Sequence, residues 1–310
     1  RLYDNNPVKS KDLAIFILLS SLWGGSYLFM RLCVGILHPV AIVEFRLLIA
    51  ASFMGCLLLL VPKWRQYLQL NRRVWKKLLF IAIFNSVLPF LVIAYAIQFI
   101  NAGTGSVLNA TSPIWTAIIA SLWFKEKLGF SRILGLVIGF LGVVFLMWGK
   151  AGFEGDGVGL AVIAAMAGTL SYGVCSNYLK RYATDLPPLT ITFWSTLIAA
   201  ILLMYPASFA LPEYPLPMKA LIGIIGLGIF STAIAYMLFF NLVERAGATI
   251  AIAVTFLVPV FSMLWGELFL GEEVTLRMLL GALVVLSGTA LAIGVITLGK
   301  PQADIKLPMD

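Results

Sequence analysis

Ten apolar runs divide this sequence, and each is close to the roughly 20 residues with which an α-helix crosses a lipid bilayer. The chain is 61% hydrophobic and 12% charged, whereas soluble domains carry about 25% charged residues. A soluble core could not hide this much apolar surface, so the sequence predicts an all-α integral membrane protein. The runs lie at residues 13–33, 40–61, 78–100, 102–124, 132–149, 157–179, 189–210, 219–240, 247–270 and 276–298.

The basic residues predict how the chain is oriented. Ten spans place both ends on one side, where 17 of the 22 Lys and Arg residues fall, against four in the opposite loops. By the positive-inside rule, both termini are expected in the cytoplasm. The basic run KWRQYLQLNRRVWKK could also bind acidic lipid, but an orientation signal is the better interpretation. The net charge of +8 therefore does not imply a nucleic-acid partner.

Residues able to support catalysis or metal binding are scarce. Cys33, Cys56 and Cys175 lie in apolar stretches and are interpreted as core residues. The single histidine, His38, has no partner motif such as HExxH. No enzyme, metal or cofactor is expected. The first run, from Leu13, lacks the exit of a cleaved signal peptide, so we expect it to remain as a span.

One pattern occurs twice in the chain, with a proline inside an apolar run that ends in charge. In SPIWTAIIASLWFKEKL, Pro113 precedes Glu126 by 13 residues, and in VPVFSMLWGELFLGEEV, Pro259 precedes Glu272 by the same distance. The two copies lie 146 positions apart. Each glutamate precedes the next helix, where a negative charge near the N-terminus is favourable, so a structural role is expected for both.

A second match extends the repeat. HPVAIVEFRLLIAA (38–51) corresponds to PPLTITFWSTLIAA (187–200) at an offset of 149. We expect two five-helix units, residues 1–149 and residues 150–310 with a short C-terminal tail. Because five is odd, the second unit enters the membrane from the opposite side, as in secondary transporters with inverted repeats.

The two prolines predict matched interruptions in the fourth helix of each unit. A proline in a helix frees the carbonyl four residues earlier, here that of Asn109 or Thr255. In lipid such a carbonyl is tolerated where protein or a cavity satisfies it. Two kinks facing a central cavity would line a transport path. Alternatively, Asn109 and Thr255 satisfy local backbone and the prolines only shape packing.

Three charges fall within predicted spans, where they are costly and often functional. Glu44 and Arg46 lie in the outer part of the second span and point to different faces, so a pair between them is not expected. Anchoring or snorkelling is the favoured interpretation, and gating or substrate steering is the alternative. Glu267 is either a proton-coupling carboxylate or an interfacial residue facing water.

The absence of acids and lysines near the span midpoints bears on the substrate. A phosphorylated substrate would require a desolvated cation there, and the sequence suggests none. Aromatic, amide and hydroxyl groups suit a neutral or zwitterionic compound instead. The Gly135-x-x-x-Gly139 motif, echoed by Gly281 and Gly288, predicts close helix packing.

Several stretches together resemble the EamA-type members of the drug/metabolite transporter superfamily. They are LWGGSYLFMR, EFRLLIAA, LWFKEKL, LFLGEEV and LLGALVVLSGTALAI. The resemblance implies a basket-shaped carrier with ten transmembrane helices in two inverted five-helix repeats, located in the bacterial inner membrane. It implies a cavity lined by helices 1, 3, 4, 6, 8 and 9. With the two kink prolines, these helices carry the expected substrate-binding residues Trp23, Ser26, Asn85, Pro89, Tyr95, Asn109, Pro113, Trp115, Ser171, Tyr172, Asn177, Ser231, Tyr236, Thr255 and Pro259.

The sequence therefore predicts a secondary transporter that exports amino acids or similar small neutral or zwitterionic metabolites by alternating access. The alternatives are a lipid flippase on the same fold and an exporter of drugs or other metabolites. Trp23 and Trp115 could stack on substrate or simply pack in the core. A monomer surrounded by membrane lipid is expected.

Overall fold

The computed structural model describes residues 10–70, 73–125, 128–147, 157–212, 214–293 and 295. Within them, ten apolar helical segments confirm the predicted spans, eight of full membrane-spanning length and two, α5 and α10, shorter. A 3₁₀ helix, Pro62–Leu68, follows the second span. The ten segments are α1 Ser10–Cys33, α2 Pro39–Leu60, α3 Trp75–Ala96, α4 Ala102–Phe124, α5 Phe130–Met147, α6 Val158–Tyr182, α7 Pro188–Ser208, α8 Met218–Ala246, α9 Ala248–Leu270 and α10 Leu276–Ala292.

Local residue choices set the ends of several helices. The Asn101 side chain accepts a hydrogen bond from the Thr104 backbone N–H at 2.9 Å, which caps the start of α4. Thr275 caps α10 in the same way through the Met278 N–H. Gly271 ends α9 in the left-handed conformation, φ 64°, which glycine adopts without steric cost. These caps satisfy backbone groups that a helix end leaves unpaired.

Ion pairs join the helix ends at both faces of the bundle. At the face where α1 begins, called here the N-terminal face, Arg245 of α8 binds Asp12 at 2.6 Å. At the opposite face, Arg31 at the end of α1 binds Glu272 before α10 at 2.9 Å. Both pairs link the first repeat, α1–α5, to the second, α6–α10. Five helices per repeat invert the second relative to the first.

The α5–α10 contact is built on glycine. A methyl group on Gly135 would lie 2.7 Å from the Gly288 carbonyl oxygen, and one on Gly288 would lie 2.6 Å from the Gly139 Cα. The two backbones approach too closely for any side chain between them. The packing role predicted for the Gly135-x-x-x-Gly139 motif and for Gly288 is therefore confirmed.

Helices α3 and α8 each contain a π-helical segment, at Ala82–Val87 and Gly226–Ile234. The two segments correspond at the repeat offset of 146, which pairs Asn85 with Ser231. Wide turns of this kind are rare and occur frequently at functional sites. The repeat therefore preserves an unusual backbone feature in the middle of both helices.

Helices α4 and α9 differ at their prolines, Pro113 and Pro259, which occupy equivalent positions in the two repeats. Helix α4 is broken after Asn109 and restarts at Ser112, so Pro113 lies in the first turn of the second half and not inside a continuous helix. Helix α9 runs without a break through Pro259. The expectation of two equivalent kinks is wrong for this reason: only α4 is fully interrupted.

Candidate substrate-binding site

The guanidinium of Arg46 lies in the interior of the protein. The residue is 7% exposed, its Nε donates to Thr232 Oγ1 at 2.8 Å, and its Cζ lies 3.7 Å from the centre of the Phe90 ring. The ring face and the hydroxyl stabilise the charge in place of water. The predicted snorkelling of Arg46 to the interface is therefore wrong, and so is the inference that no desolvated cation lies inside.

Three tyrosines lie in the neighbourhood of this cation. Tyr27 of α1, Tyr172 of α6 and Tyr236 of α8 are near enough that a charge on each would act on the guanidinium. They come from both repeats, so the two halves meet around one charged group. We call Tyr27, Arg46, Phe90, Tyr172, Thr232 and Tyr236 the Arg46 cluster.

Two further predicted site residues lie next to the cluster. Asn85 donates its amide to the Tyr236 hydroxyl at 3.3 Å, which links the π segment of α3 to α8. The Trp23 ring packs edge-on against Tyr236 at 6.3 Å and also contacts Phe239 at 5.4 Å. The structure thus brings Trp23, Asn85 and Tyr236 into contact.

Asn109 lies at the break in α4, beside the Tyr27 side chain. Its backbone carbonyl accepts from the Ser112 hydroxyl at 2.6 Å. Its side-chain oxygen Oδ1 is buried and has no hydrogen-bond partner among the described residues. A buried acceptor without a donor is costly, so it is a candidate contact for a ligand.

Glu44 is buried, 3% exposed, and neither carboxyl oxygen has a hydrogen-bond partner among the described residues. Glu44 lies on the same face of α2 as Gly55, which is three turns further along the helix. The neighbour of Gly55 is Phe193 of α7. Arg46 faces α8, so the prediction that Glu44 and Arg46 do not pair is confirmed.

Three predicted site residues bind backbone between helices. Their hydrogen bonds account for their polarity inside the bundle without a substrate. The contacts are Ser171 Oγ to Phe84 O at 2.7 Å, Asn177 Nδ2 to Thr116 O at 3.0 Å, and Ser231 Oγ to Leu22 O at 2.8 Å.

The other predicted residues on α3 and α4 pack against aromatic rings or glycine. Tyr95 lies 5.1 Å from the Phe99 ring, and Pro89 is close to Gly168 of α6. Trp115 contacts Phe140 edge-on at 5.4 Å, and its Nε1 is buried without a partner. Pro113, in the first turn of the second half of α4, is partly buried.

On α1 and α9, Ser26 and Pro259 are buried. Thr255 donates to Ile252 O at 2.8 Å, and its hydrogen bond stays within its own helix. Glu267 is exposed, so the burial that a proton-coupling role requires is missing. Glu126 lies outside the described residues.

Glu272 organises the face opposite the N-terminal one. Besides binding Arg31, it accepts from the Ala102 backbone N–H at 2.9 Å, and Arg31 also donates to Ile97 O at 3.1 Å. Ser262 of α9 binds the Ala102 carbonyl at 2.9 Å. From the sequence, Glu272 was expected to act at the N-terminus of α10. In the structure its carboxylate contacts the start of α4 instead.

Comparison with known proteins supports the two-repeat architecture. The EamA-like transporter family matches the chain twice, over residues 12–148 and 159–294. The chain belongs to the EamA-like transporter family. A relative from Archaeoglobus fulgidus, described as an uncharacterized transporter, is 26% identical over 284 residues, covering 90% of this chain and 97% of the relative.

A second relative, the uncharacterized transporter YvbV of Bacillus subtilis, is 23% identical over 287 residues, covering 91% of this chain and 92% of the relative. A solved crystal structure superimposes with a TM-score of 0.65 at 17% identity, covering 93% of this chain and 98% of that chain. That likeness shows the fold alone. As an EamA-like transporter, the protein is a multi-pass membrane transporter.

Three members of the Arg46 cluster were missed from the sequence of this EamA-like transporter: Tyr27, Phe90 and Thr232. A signal for one of them, Phe90, exists in the repeat. AIFNSVLPF (82–90) corresponds to GIFSTAIAY (228–236), and this match pairs Phe90 with Tyr236. Tyr27 lies within LWGGSYLFMR, but nothing in that string shows which way its ring points.

Proposed function

We propose that the protein is a secondary exporter of amino acids or similar small zwitterionic metabolites. The observation that supports this most is the polar and aromatic cluster around Arg46, in the interior where the two repeats meet. The hydrogen bond from Asn85 to Tyr236 crosses between the repeats at this point. An ionisable group inside a membrane protein is costly, so the burial of Arg46 favours a role in binding.

Alternating access follows from the inverted repeats. A site at the interface between two rigid, oppositely oriented halves opens to one face or the other when the halves rock. The ion pairs Arg31–Glu272 and Asp12–Arg245 join the repeats at opposite faces. We propose that each pair opens when the site faces its side of the membrane.

A lipid flippase on this fold is the second candidate. It would need a polar path for a head group that is open to lipid. An apolar crevice lies among α2, α7 and α8, with Met54, Leu189 and Met237 in its lining. Its lining offers no charged group, so it does not favour head-group transport.

The test is counterflow in proteoliposomes. Vesicles loaded with one amino acid are diluted into a labelled one, across a panel of the 20 common amino acids. We expect uptake that requires the internal amino acid. Uptake of labelled lipid or of cationic drugs, with no amino-acid exchange, would instead favour the flippase or the drug exporter.

Energy coupling is tested in the same vesicles. We propose Glu44, and not the exposed Glu267, as the carboxyl that couples transport to protons, because it is buried without a partner. Glu44→Gln keeps the shape of the side chain and cannot ionise. We expect the variant to exchange amino acids but to lose stimulation by a pH gradient. Equal stimulation in the variant and in the parent protein would exclude Glu44.

The proposed location is the inner membrane, with both termini in the cytoplasm. Single cysteines replacing Lys63 and Glu273, both exposed and on opposite faces, report orientation in a cysteine-free background. An impermeant maleimide added to intact cells should label position 273 only. Labelling of position 63 alone would reverse the orientation.

A further inference from the structure

Arg46 has donors that the protein does not use. Of its five N–H groups, only Nε–H has an acceptor among the described residues, Thr232 Oγ1. The described residues also contain no carboxylate that forms an ion pair with it. A buried charge without a counter-ion is costly, and a carrier would keep one only where something else supplies the negative charge.

The free end of the guanidinium is not completely enclosed by protein. Among the described residues, the fully buried polar atoms that lack a partner belong to Glu44, Asn109, Trp115 and Trp194 and include no nitrogen of Arg46. Nη1 and Nη2 also have no hydrogen-bond partner among the described residues, so their donors are free to bind a ligand. Phe90 covers one face of the guanidinium plane, so a ligand approaches its edge.

The shape of the free edge indicates the ligand group. Parallel N–H bonds from an arginine match the two oxygens of a carboxylate. The hydroxyls of the neighbouring tyrosines are neutral donors available to a bound oxygen. One cation with neutral donors suits a single negative charge better than the double charge of a phosphate ester.

The second repeat has no arginine at the equivalent position. At the repeat offset of 149, the position of Arg46 is taken in the second half by Ser195, which is buried and donates to Thr192 O of its own helix. This position therefore supplies no second cation.

We infer that the free edge of Arg46 binds the carboxylate of the transported molecule, an inference that rests on the proposed export of amino acids or similar zwitterions. The carboxylate thus fixes one end of the substrate. Analogues that lack the carboxylate are not substrates.

The experiment uses leucine and three analogues: leucinamide and 4-methylpentanoate, which have the same carbon skeleton, and 3-methylbutylamine, which lacks the carboxyl carbon. Binding is measured as thermal stabilisation of the purified full chain in detergent, and transport as inhibition of labelled leucine counterflow. For the parent protein we expect both carboxylates to bind at least about 30-fold more tightly than leucinamide or the amine.

Arg46→Gln should reduce the preference for leucine over leucinamide to within about threefold, since the charge-assisted bonds are lost. This ratio does not depend on the amount of folded protein. Ser195→Ala is the matched control at the equivalent position of the other repeat, and it should keep the parent ratio. If Arg46→Gln does not fold, Thr232→Val, which removes the Nε acceptor, should lower the ratio about threefold to tenfold.

Equal binding of leucine and leucinamide by the parent protein overturns the inference, and so does an unchanged ratio in Arg46→Gln or, if that variant does not fold, in Thr232→Val. These results leave the proposed function intact if amino acids are still exchanged. Absence of exchange for every amino acid overturns the proposed function instead. Stabilisation of the parent protein by 4-methylpentanoate that is lost in Arg46→Gln would then still support the carboxylate subsite.

Discussion

The two repeats share an unusual backbone but differ in the chemistry they carry. Both α3 and α8 widen into π-helical turns at equivalent positions. In contrast, the second helix of the first repeat carries Glu44 and Arg46, where the second repeat has Phe193 and Ser195. The comparison indicates that the two repeats share their backbone design, whereas the charged side chains of the second helix belong to the first repeat alone.

A second difference lies in the fourth helices and has a local cause. In α4, Thr111 and Ser112 donate to Leu108 O and Asn109 O at 2.7 and 2.6 Å, so hydroxyls replace the helical N–H groups at the break. The equivalent residues of α9 are Leu257 and Val258. They have no hydroxyl, and α9 stays helical through Pro259. The same proline therefore has different consequences in the two halves.

The largest expected effect tests the contact that holds the repeats together at α5 and α10. Gly135→Ala and Gly288→Ala each place a methyl group against backbone of the other helix. Overpacking at a site that cannot relax should lower the free energy of unfolding by about 3 kcal/mol. Denaturation of the purified protein in detergent measures it.

The control is Gly25→Ala, because the nearest atom to its new methyl group is 3.7 Å away. It should change stability by less than about 0.5 kcal/mol. If Gly25→Ala and Gly288→Ala were equally stable, the glycine contact would not account for the α5–α10 packing.

The ion pair at the face opposite the N-terminal one gives the next largest effect. Glu272→Ala removes the partner of Arg31 and the acceptor of the Ala102 N–H. We expect a loss of about 2 kcal/mol in the free energy of unfolding, since a charged hydrogen bond and a helix cap are lost together. Glu273→Ala is the control, because its side chain is exposed. Equal melting temperatures for the two variants would contradict the cross-repeat role of Glu272.

The repeat-related pair Asn109 and Thr255 tests whether the halves contribute equally to binding. Asn109→Ala removes an unpartnered acceptor beside Tyr27, and leucine exchange should fall about tenfold, equivalent to about 1.4 kcal/mol. Thr255→Ala removes a hydroxyl that bonds only within its own helix, so exchange should change less than about twofold. Initial rates of counterflow measure the exchange activity of both variants. Equal losses would indicate that the two halves contribute equally to binding.

The smallest expected effect concerns Asp185, in the loop after α6. The Lys77 ammonium, 3.1 Å away, lowers the pKa of this exposed carboxyl. The pair therefore stabilises the fold above the ordinary pKa of aspartate, and this contribution is lost as the pH falls through the lowered value. Asp185→Asn should show a slightly flatter dependence of the melting temperature on pH. High salt should remove the difference, because the pair is at the surface.

The sequence by itself determined the ten helices, the two inverted repeats and the glycine contact between α5 and α10. These features depend on spacing along the chain: runs long enough to cross lipid, an odd number of helices per repeat, and small residues one turn apart. Length, offset and helical period are all visible without coordinates.

Only the tertiary structure decided what surrounds Arg46 and Glu44. From the sequence, both were charges in the outer part of a span, and anchoring or snorkelling to water was the favoured interpretation. Their burial depends on how α2 is rotated against α7 and α8, and on the π-helical turns of α3 and α8, which bring Phe90 and Thr232 to the guanidinium. Contacts between residues 186 positions apart are set by packing of whole helices, which no local pattern encodes.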